Sequence, residues 1–148
     1  MIDSSVPIDT IPHLFLYSFF FEHILSIILA GDRSGTGKTT LTLALLAALK
    51  KRGDRVQSFK VGPDYIDPMF HSAITGRPTY NLDPVLTSEA YVQQSFNAHC
   101  AEANQVVVEG VMGLFDGATG ADDTASTAHI ARLLGLPVVL AVDCGRMA

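Results

Sequence analysis

At 148 residues, with 48% hydrophobic and 17% charged side chains, the chain has the size and composition of one globular domain and not of a disordered polypeptide. Acidic groups outnumber basic ones 15 to 10, a formal net charge of -5, which argues against a nucleic-acid partner because gripping a phosphate backbone needs a basic face. The two cysteines, Cys100 and Cys144, lie far apart outside any metal-ligand spacing and read as reduced structural thiols, so a cytoplasmic protein is expected.

Residues 1–22 read as an N-terminal extension, with disorder, an amphipathic segment and a misplaced start all left open. The apolar stretch from Ile11 to Ala30 raises a membrane span or a signal peptide. Against both, His13, Glu22 and His23 interrupt the run, no basic segment precedes it, and its second half is needed as a strand. No membrane association is expected. Ile24 to Ala30 is a continuous apolar run suited to a strand buried on both faces. Lys38 to Arg52 then reads as a helix. Leu41, Leu43, Leu45, Leu46 and Leu49 make it apolar nearly all round, which predicts a buried helix; Lys50, Lys51 and Arg52 suit the negative end of its dipole, and Gly53 is its stop. Arg55 to Val61 is a second strand, ended by Gly62-Pro63. A long loop is expected from there to Thr87, the expected cap of a helix over Ser88 to Ala101. Gln105 to Glu109 is a third strand, Thr124 to Leu134 a helix closed by Gly135 and Pro137, and Val138 to Val142 a fourth strand. This alternation implies an α/β fold, a parallel sheet flanked by helices, and the glycine-rich loop from Gly31 to Thr40 between its first strand and helix makes it P-loop NTPase-like. Such a sheet normally continues, so residues 23–148 read as a partial domain, incomplete at the C-terminus.

Three segments carry chemistry. In Gly31-Asp32-Arg33-Ser34-Gly35-Thr36-Gly37-Lys38-Thr39-Thr40, a glycine-rich loop follows an apolar strand and opens a helix, the setting a phosphate-binding loop requires. Its glycines let backbone amides turn inward, and the helix N-terminus adds its positive dipole end. Lys38 can reach terminal phosphates, and the Thr39 hydroxyl can ligate Mg²⁺. The expected nucleotide cradle is thus Gly35, Thr36, Gly37, Lys38, Thr39 and Thr40, with ATP and Mg²⁺ as cofactors. The first glycine is Gly31, one residue earlier than the common spacing, where Asp32 stands.

The second segment, Lys60 to Pro68, lies at the carboxyl end of the second strand, the edge where open α/β sheets bind ligands. Asp64 and Asp67 are three apart, so one turn of coil puts both carboxylates on one side, where they can hold a metal ion or orient a substrate. Solvated acids in a proline-punctuated loop are the plain alternative. In the third segment, Val106 to Gly117, an apolar strand runs into Glu109 and a glycine-rich turn. A carboxylate there is the usual partner of phosphate-bound Mg²⁺, so Thr39 and Glu109 are the expected metal ligands. Asp143 reads as a helix cap or loop anchor. His71, His99 and His129 show no partner at ligand spacing and are assigned no role.

With those residues in place, the chain from about Ile27 onward resembles the N-terminal part of the cobyrinic acid a,c-diamide synthases, amidotransferases of cobalamin biosynthesis. The likeness rests on Ala30 to Thr40, on Lys60 to His71 and on Glu109 to Gly117. The displaced Gly31 is shared with the branch resembling dethiobiotin synthetase. The resemblance implies ATP-dependent amidation of the a and c carboxylates of a corrinoid through acyl phosphates. It further implies that glutamine or ammonia supplies the nitrogen and that a C-terminal glutaminase domain, absent from these residues, releases ammonia. Carried over by motif, Lys38, Asp64, Asp67 and Asp116 are implied as catalytic, and Lys60, Tyr65 and Asp67 as substrate-binding. The alternatives are a nickel-sirohydrochlorin diamide synthase, a dethiobiotin synthetase or a partitioning-type nucleotide switch. The acidic charge and the lack of a second lysine early in the loop count against the switch; Arg33 is not its equivalent.

Overall fold

The computed structural model describes residues 25–119 and 122–145. The extension at 1–22 lies outside the described residues. The elements run β1 (Leu25–Gly31), α1 (Lys38–Lys51), β2 (Val56–Val61), α2 (Asp67–Thr75), β3 (Tyr80–Leu82), α3 (Glu89–Cys100), β4 (Gln105–Glu109), α4 (Thr127–Leu134) and β5 (Val138–Ala141). They form one five-stranded sheet in the order β3-β2-β4-β1-β5, every ladder parallel.

Period-two alternation divides the strand side chains between two cores. Ile28, Phe59, Val106 and Val108 face Val92, Phe96 and Cys100 of α3 and Ile130 of α4. Leu29, Val56 and Val107 face Leu46 and Leu49 of α1, with Ile74 of α2 beside them. Phe59 and Phe96 hold the first core together with ring centroids 5.1 Å apart. The result is a sheet between two helical layers, as the alternation of apolar runs and helical patterns implies. Cys100 lies wholly inside it, and burial pushes its thiol up to about 12, which keeps it protonated and inert. Among the described residues no helix is long and apolar enough to cross a membrane.

Four expectations are corrected. The long loop after β2 contains α2 and β3. Pro68 occupies the first turn of α2, where its missing N–H costs nothing, and Gly76 (φ 71°) closes the helix in the left-handed region. The cap of α3 is Ser88, whose side chain accepts from the Tyr91 amide at 3.1 Å, while Thr87 Oγ1 donates to the Asp83 carbonyl at 2.6 Å. Helix α4 starts at Thr127 and not Thr124, because Ala125 takes φ 62° and extended Ser126 caps it by accepting from the His129 amide. Lastly, α1 is not buried all round: Lys38, Thr42, Leu46 and Leu49 are buried, whereas Leu41 is 43% exposed, since the helix lies on one face of the sheet.

This topology creates a ligand edge. Strand β1 leads into α1 on one face, and its neighbour β4 leads toward α4 on the other. Their carboxyl ends therefore diverge into a crevice, the position where open α/β sheets bind ligands.

Candidate active site

The loop between β1 and α1 lies at that crevice. Gly35 (φ 81°) and Gly37 (φ 85°) occupy the left-handed region and turn the chain into α1. A side chain at position 31 would collide with Thr36 Oγ1 and come within 3.0 Å of Lys38 Nζ, so the displaced glycine is where the loop closes on itself. Lys38, the first residue of α1, is 8% exposed and donates to the Arg33 carbonyl at 3.1 Å. Burial, followed by the nearby Lys60 ammonium, lowers its affinity for a proton, while Glu109, Asp116 and Asp32 oppose the shift. Arg33 itself bridges Asp143 at 2.6 Å, which makes Asp143 a loop anchor.

Beside the loop is a buried cluster of charges. The last turns of alternation in β2 and β4 point Lys60 and Glu109 to the same face of the sheet, the one that α1 and α2 cover. Lys60 Nζ lies 2.7 Å from Asp67 Oδ2, 3.0 Å from Glu109 Oε1, 3.2 Å from the Gly110 carbonyl and 3.7 Å from Asp64 Oδ2. Thr39 Oγ1 donates to Glu109 Oε1 at 2.6 Å and has Asp67 Oδ2 at 3.3 Å. Glu109 Oε2 faces His71 Nε2 at 2.7 Å. Burial by itself would raise the Glu109 carboxyl, but hydrogen bonds from His71 and Thr39 and the Lys60 ammonium outweigh it and hold the group at about 2. Burial likewise disfavours charged Lys60, yet its bonds to Asp67 and Glu109 raise its proton affinity above the ordinary value. Lys60 and Glu109 therefore both stay charged at neutral pH.

A cleft of about 400 Å³ opens over this cluster. It brings together Gly35, Gly37, Lys38, Thr39, Thr40, Lys60, Asp64, Asp67 and Glu109 from four elements and two loops. Thr36, Tyr65 and Asp116 stand outside its lining. Thr36 Oγ1 donates to the Arg33 carbonyl at 3.3 Å, Tyr65 is 79% exposed, and Asp116 Oδ2 accepts from the Gly113 amide at 2.7 Å, closing the turn after β4. Asp116 instead borders a neighbouring groove of about 260 Å³ lined by Val85, Leu86, Val111 and Met112. Asp64 Oδ1 accepts from the Ile66 and Asp67 amides at 2.8 and 3.2 Å, so it starts α2 while its other oxygen faces Lys60.

The residue that sequence reasoning passed over is His71. Its side chain is wholly buried, and it lies one turn beyond Asp67 on α2. An acid and a histidine four apart share a helix face, and that spacing was the available signal once α2 was recognised as a helix.

The donor set is suited to a hard cation. Thr39, Asp67 and Glu109 offer oxygens only. Among the described residues no three His, Cys, Asp or Glu side chains converge as a cage. That is the partial set Mg²⁺ takes, one or two carboxylates completed by phosphate oxygens and water.

Comparison with known proteins agrees with this geometry. Residues 27–139 match the CobQ/CobB/MinD/ParA nucleotide binding domain. The chain is 64% identical over 124 residues to a cobyrinate a,c-diamide synthase of Synechococcus sp., an alignment covering 84% of the chain and 27% of that protein. It is 54% identical over 118 residues to the enzyme of the same name from Clostridium tetani, covering 80% of the chain and 26% of that protein. It is 48% identical over 124 residues to a hydrogenobyrinate a,c-diamide synthase of Mycobacterium tuberculosis, covering 81% and 27%. The chain thus spans about a quarter of the length of the curated relatives it matches. With a parallel sheet, a glycine loop at its crevice and a match over most of its length, the chain belongs to the CobQ/CobB/MinD/ParA nucleotide-binding domain family.

Proposed function

We propose that this domain binds ATP with Mg²⁺ and activates the a and c side-chain carboxylates of cobyrinic acid for amidation, as the nucleotide-binding part of a larger cytoplasmic amidotransferase. The observation that carries the reading is the Lys60, Asp67, Glu109 and Thr39 cluster set directly against the phosphate loop.

In this reading a carboxylate oxygen of the substrate attacks the γ-phosphorus of ATP, ADP departs, and an acyl phosphate forms. Ammonia released from glutamine then attacks the acyl carbon, and phosphate leaves as the amide forms and a proton is lost. The chain's residues supply positioning and electrostatics, which is what phosphoryl transfer needs from a protein. The Gly35 to Thr40 backbone wraps the phosphates, and Lys38 leaves the Arg33 carbonyl to meet the terminal ones. Thr39 and Glu109 would hold Mg²⁺, which when bound would neutralise charge on the transferred group. Lys60 balances Asp64, Asp67 and Glu109 and lines the cleft that an incoming carboxylate would enter. Asp64 and Asp67 orient it, with Tyr65 and Asp116 toward the substrate side. The relatives named as cobyrinate and hydrogenobyrinate a,c-diamide synthases support a corrinoid substrate.

Two measurements test this. Lys38→Ala is expected to weaken Mg-ATP binding at least 10-fold by titration calorimetry, and unchanged affinity would sink the nucleotide assignment. The full-length protein, given ATP, Mg²⁺ and ammonia with cobyrinic or hydrogenobyrinic acid, is expected to yield a diamide by mass spectrometry. ATP hydrolysis with no amidated tetrapyrrole would overturn the substrate.

A further inference from the structure

The two oxygens of Glu109 are treated differently by the fold. Oε1 faces the cleft, where Thr39 Oγ1 and Lys60 Nζ approach it at 2.6 and 3.0 Å. Oε2 points away from the phosphate loop into α2 and meets one group there, His71 Nε2 at 2.7 Å. An ionised carboxylate only accepts hydrogen bonds, so the ring carries a proton on Nε2 and donates it. The opposite ring nitrogen, Nδ1, is buried and has no partner among the described residues. A buried polar atom without a partner is costly, so a ring placed for packing alone would be better as an apolar residue of the same shape. Everything that repays the burial of His71 runs through Nε2 and Glu109.

We propose that His71 is a positioning residue for the metal: by holding Glu109 Oε2, it fixes the carboxylate so that Oε1 alone is presented to a Mg²⁺ bound between Thr39 and the nucleotide phosphates. This rests on the reading of Thr39 and Glu109 as metal ligands. Without the donor, the carboxylate is free to turn its second oxygen toward Lys60, which already holds Oε1 at 3.0 Å and would then hold both. Histidine and carboxylate partners behind a metal ligand typically contribute 10- to 100-fold to metal affinity.

The test compares His71→Gln with His71→Met in the full chain. The two side chains have similar length, but only glutamine has an N–H to donate. ADP affinity is measured by calorimetry in EDTA and across a MgCl₂ titration, with thermal melting as the folding check. His71→Met is expected to leave ADP affinity in EDTA unchanged while raising the Mg²⁺ concentration for half-maximal enhancement roughly 10-fold or more. His71→Gln is expected to recover most of that shift. Wild-type and methionine variants with the same Mg²⁺ dependence would overturn the proposal. A wild type whose ADP binding ignores Mg²⁺ would instead overturn the metal-site reading beneath it. Should both variants fail to fold, nitrogen-15 spectra of labelled histidine in the wild type decide. A retained Nε2–H tautomer with MgCl₂ and ADP present supports the proposal, and its loss on metal addition refutes it.

Discussion

Lys60 and Glu109 are register partners on the adjacent parallel strands β2 and β4, and their side chains meet at 3.0 Å with 3% and 0% of each residue exposed. Because the partners sit on the same sheet face at the same height, the ion pair is set by the backbone ladder and not by flexible side chains reaching out. Thr39 and His71 then approach it from the two covering helices.

Removing one member of a buried ion pair leaves an uncompensated charge, which typically costs about 3–5 kcal/mol. Lys60→Met is therefore expected to destabilise the protein by that amount in urea unfolding, since Asp67 and Glu109 would face each other unscreened. Adding Glu109→Gln to Lys60→Met is expected to recover part of the loss, because the second change removes one of the stranded charges. Simple additivity of the two single costs would refute the coupling.

The Glu109 carboxyl sits at about 2 against an ordinary value of 4.5, the burial cost being outweighed by His71, Thr39 and Lys60. Its folded value is depressed, so its contribution is fully present above about 4.5 and is lost as pH falls toward about 2. The loss amounts to about 3 kcal/mol across that window. Glu109→Gln is expected to be less stable than wild type at pH 7 and to show a shallower acid limb between those limits. Parallel unfolding-energy curves against pH would rule the assignment out.

The start of α4 offers a pair of changes with opposite signs. Ser126 is wholly buried and caps the His129 amide at 3.1 Å, so Ser126→Ala is expected to cost about 1–2 kcal/mol. Ala125 holds φ 62°, a left-handed conformation that costs a residue with a Cβ about 1 kcal/mol, so Ala125→Gly is expected to stabilise by up to about 1 kcal/mol. Denaturant midpoints measure both, and loss of stability in Ala125→Gly would contradict the backbone argument.

Much of this was written locally. A continuous apolar run ending in glycines and followed by a lysine-initiated helix encodes β1, the loop and α1, and Gly53 stops that helix with φ 91° as its lack of a Cβ permits. Segment 62–87 was harder. Pro63 and Pro68 look like loop punctuation, yet proline in the first turn of a helix is permitted, and α2 gains its stability from packing against α1 and the sheet. Once that helix was missed, His71 had no visible partner. The apolar surface of α1 misled in the other direction, because leucines on a helix record where burial is possible and not how many faces are covered.

By itself the sequence determined the phosphate loop and the placing of Lys60, Asp67 and Glu109 near strand ends, since glycine freedom, strand alternation and helix initiation are short-range effects. Only the tertiary structure decided that these groups meet. Lys60 and Glu109 are 49 residues apart and His71 and Glu109 are 38 apart. Their contact depends on β4 inserting between β1 and β2 and on α2 lying over that face, an order set by burying two apolar sheet faces at once.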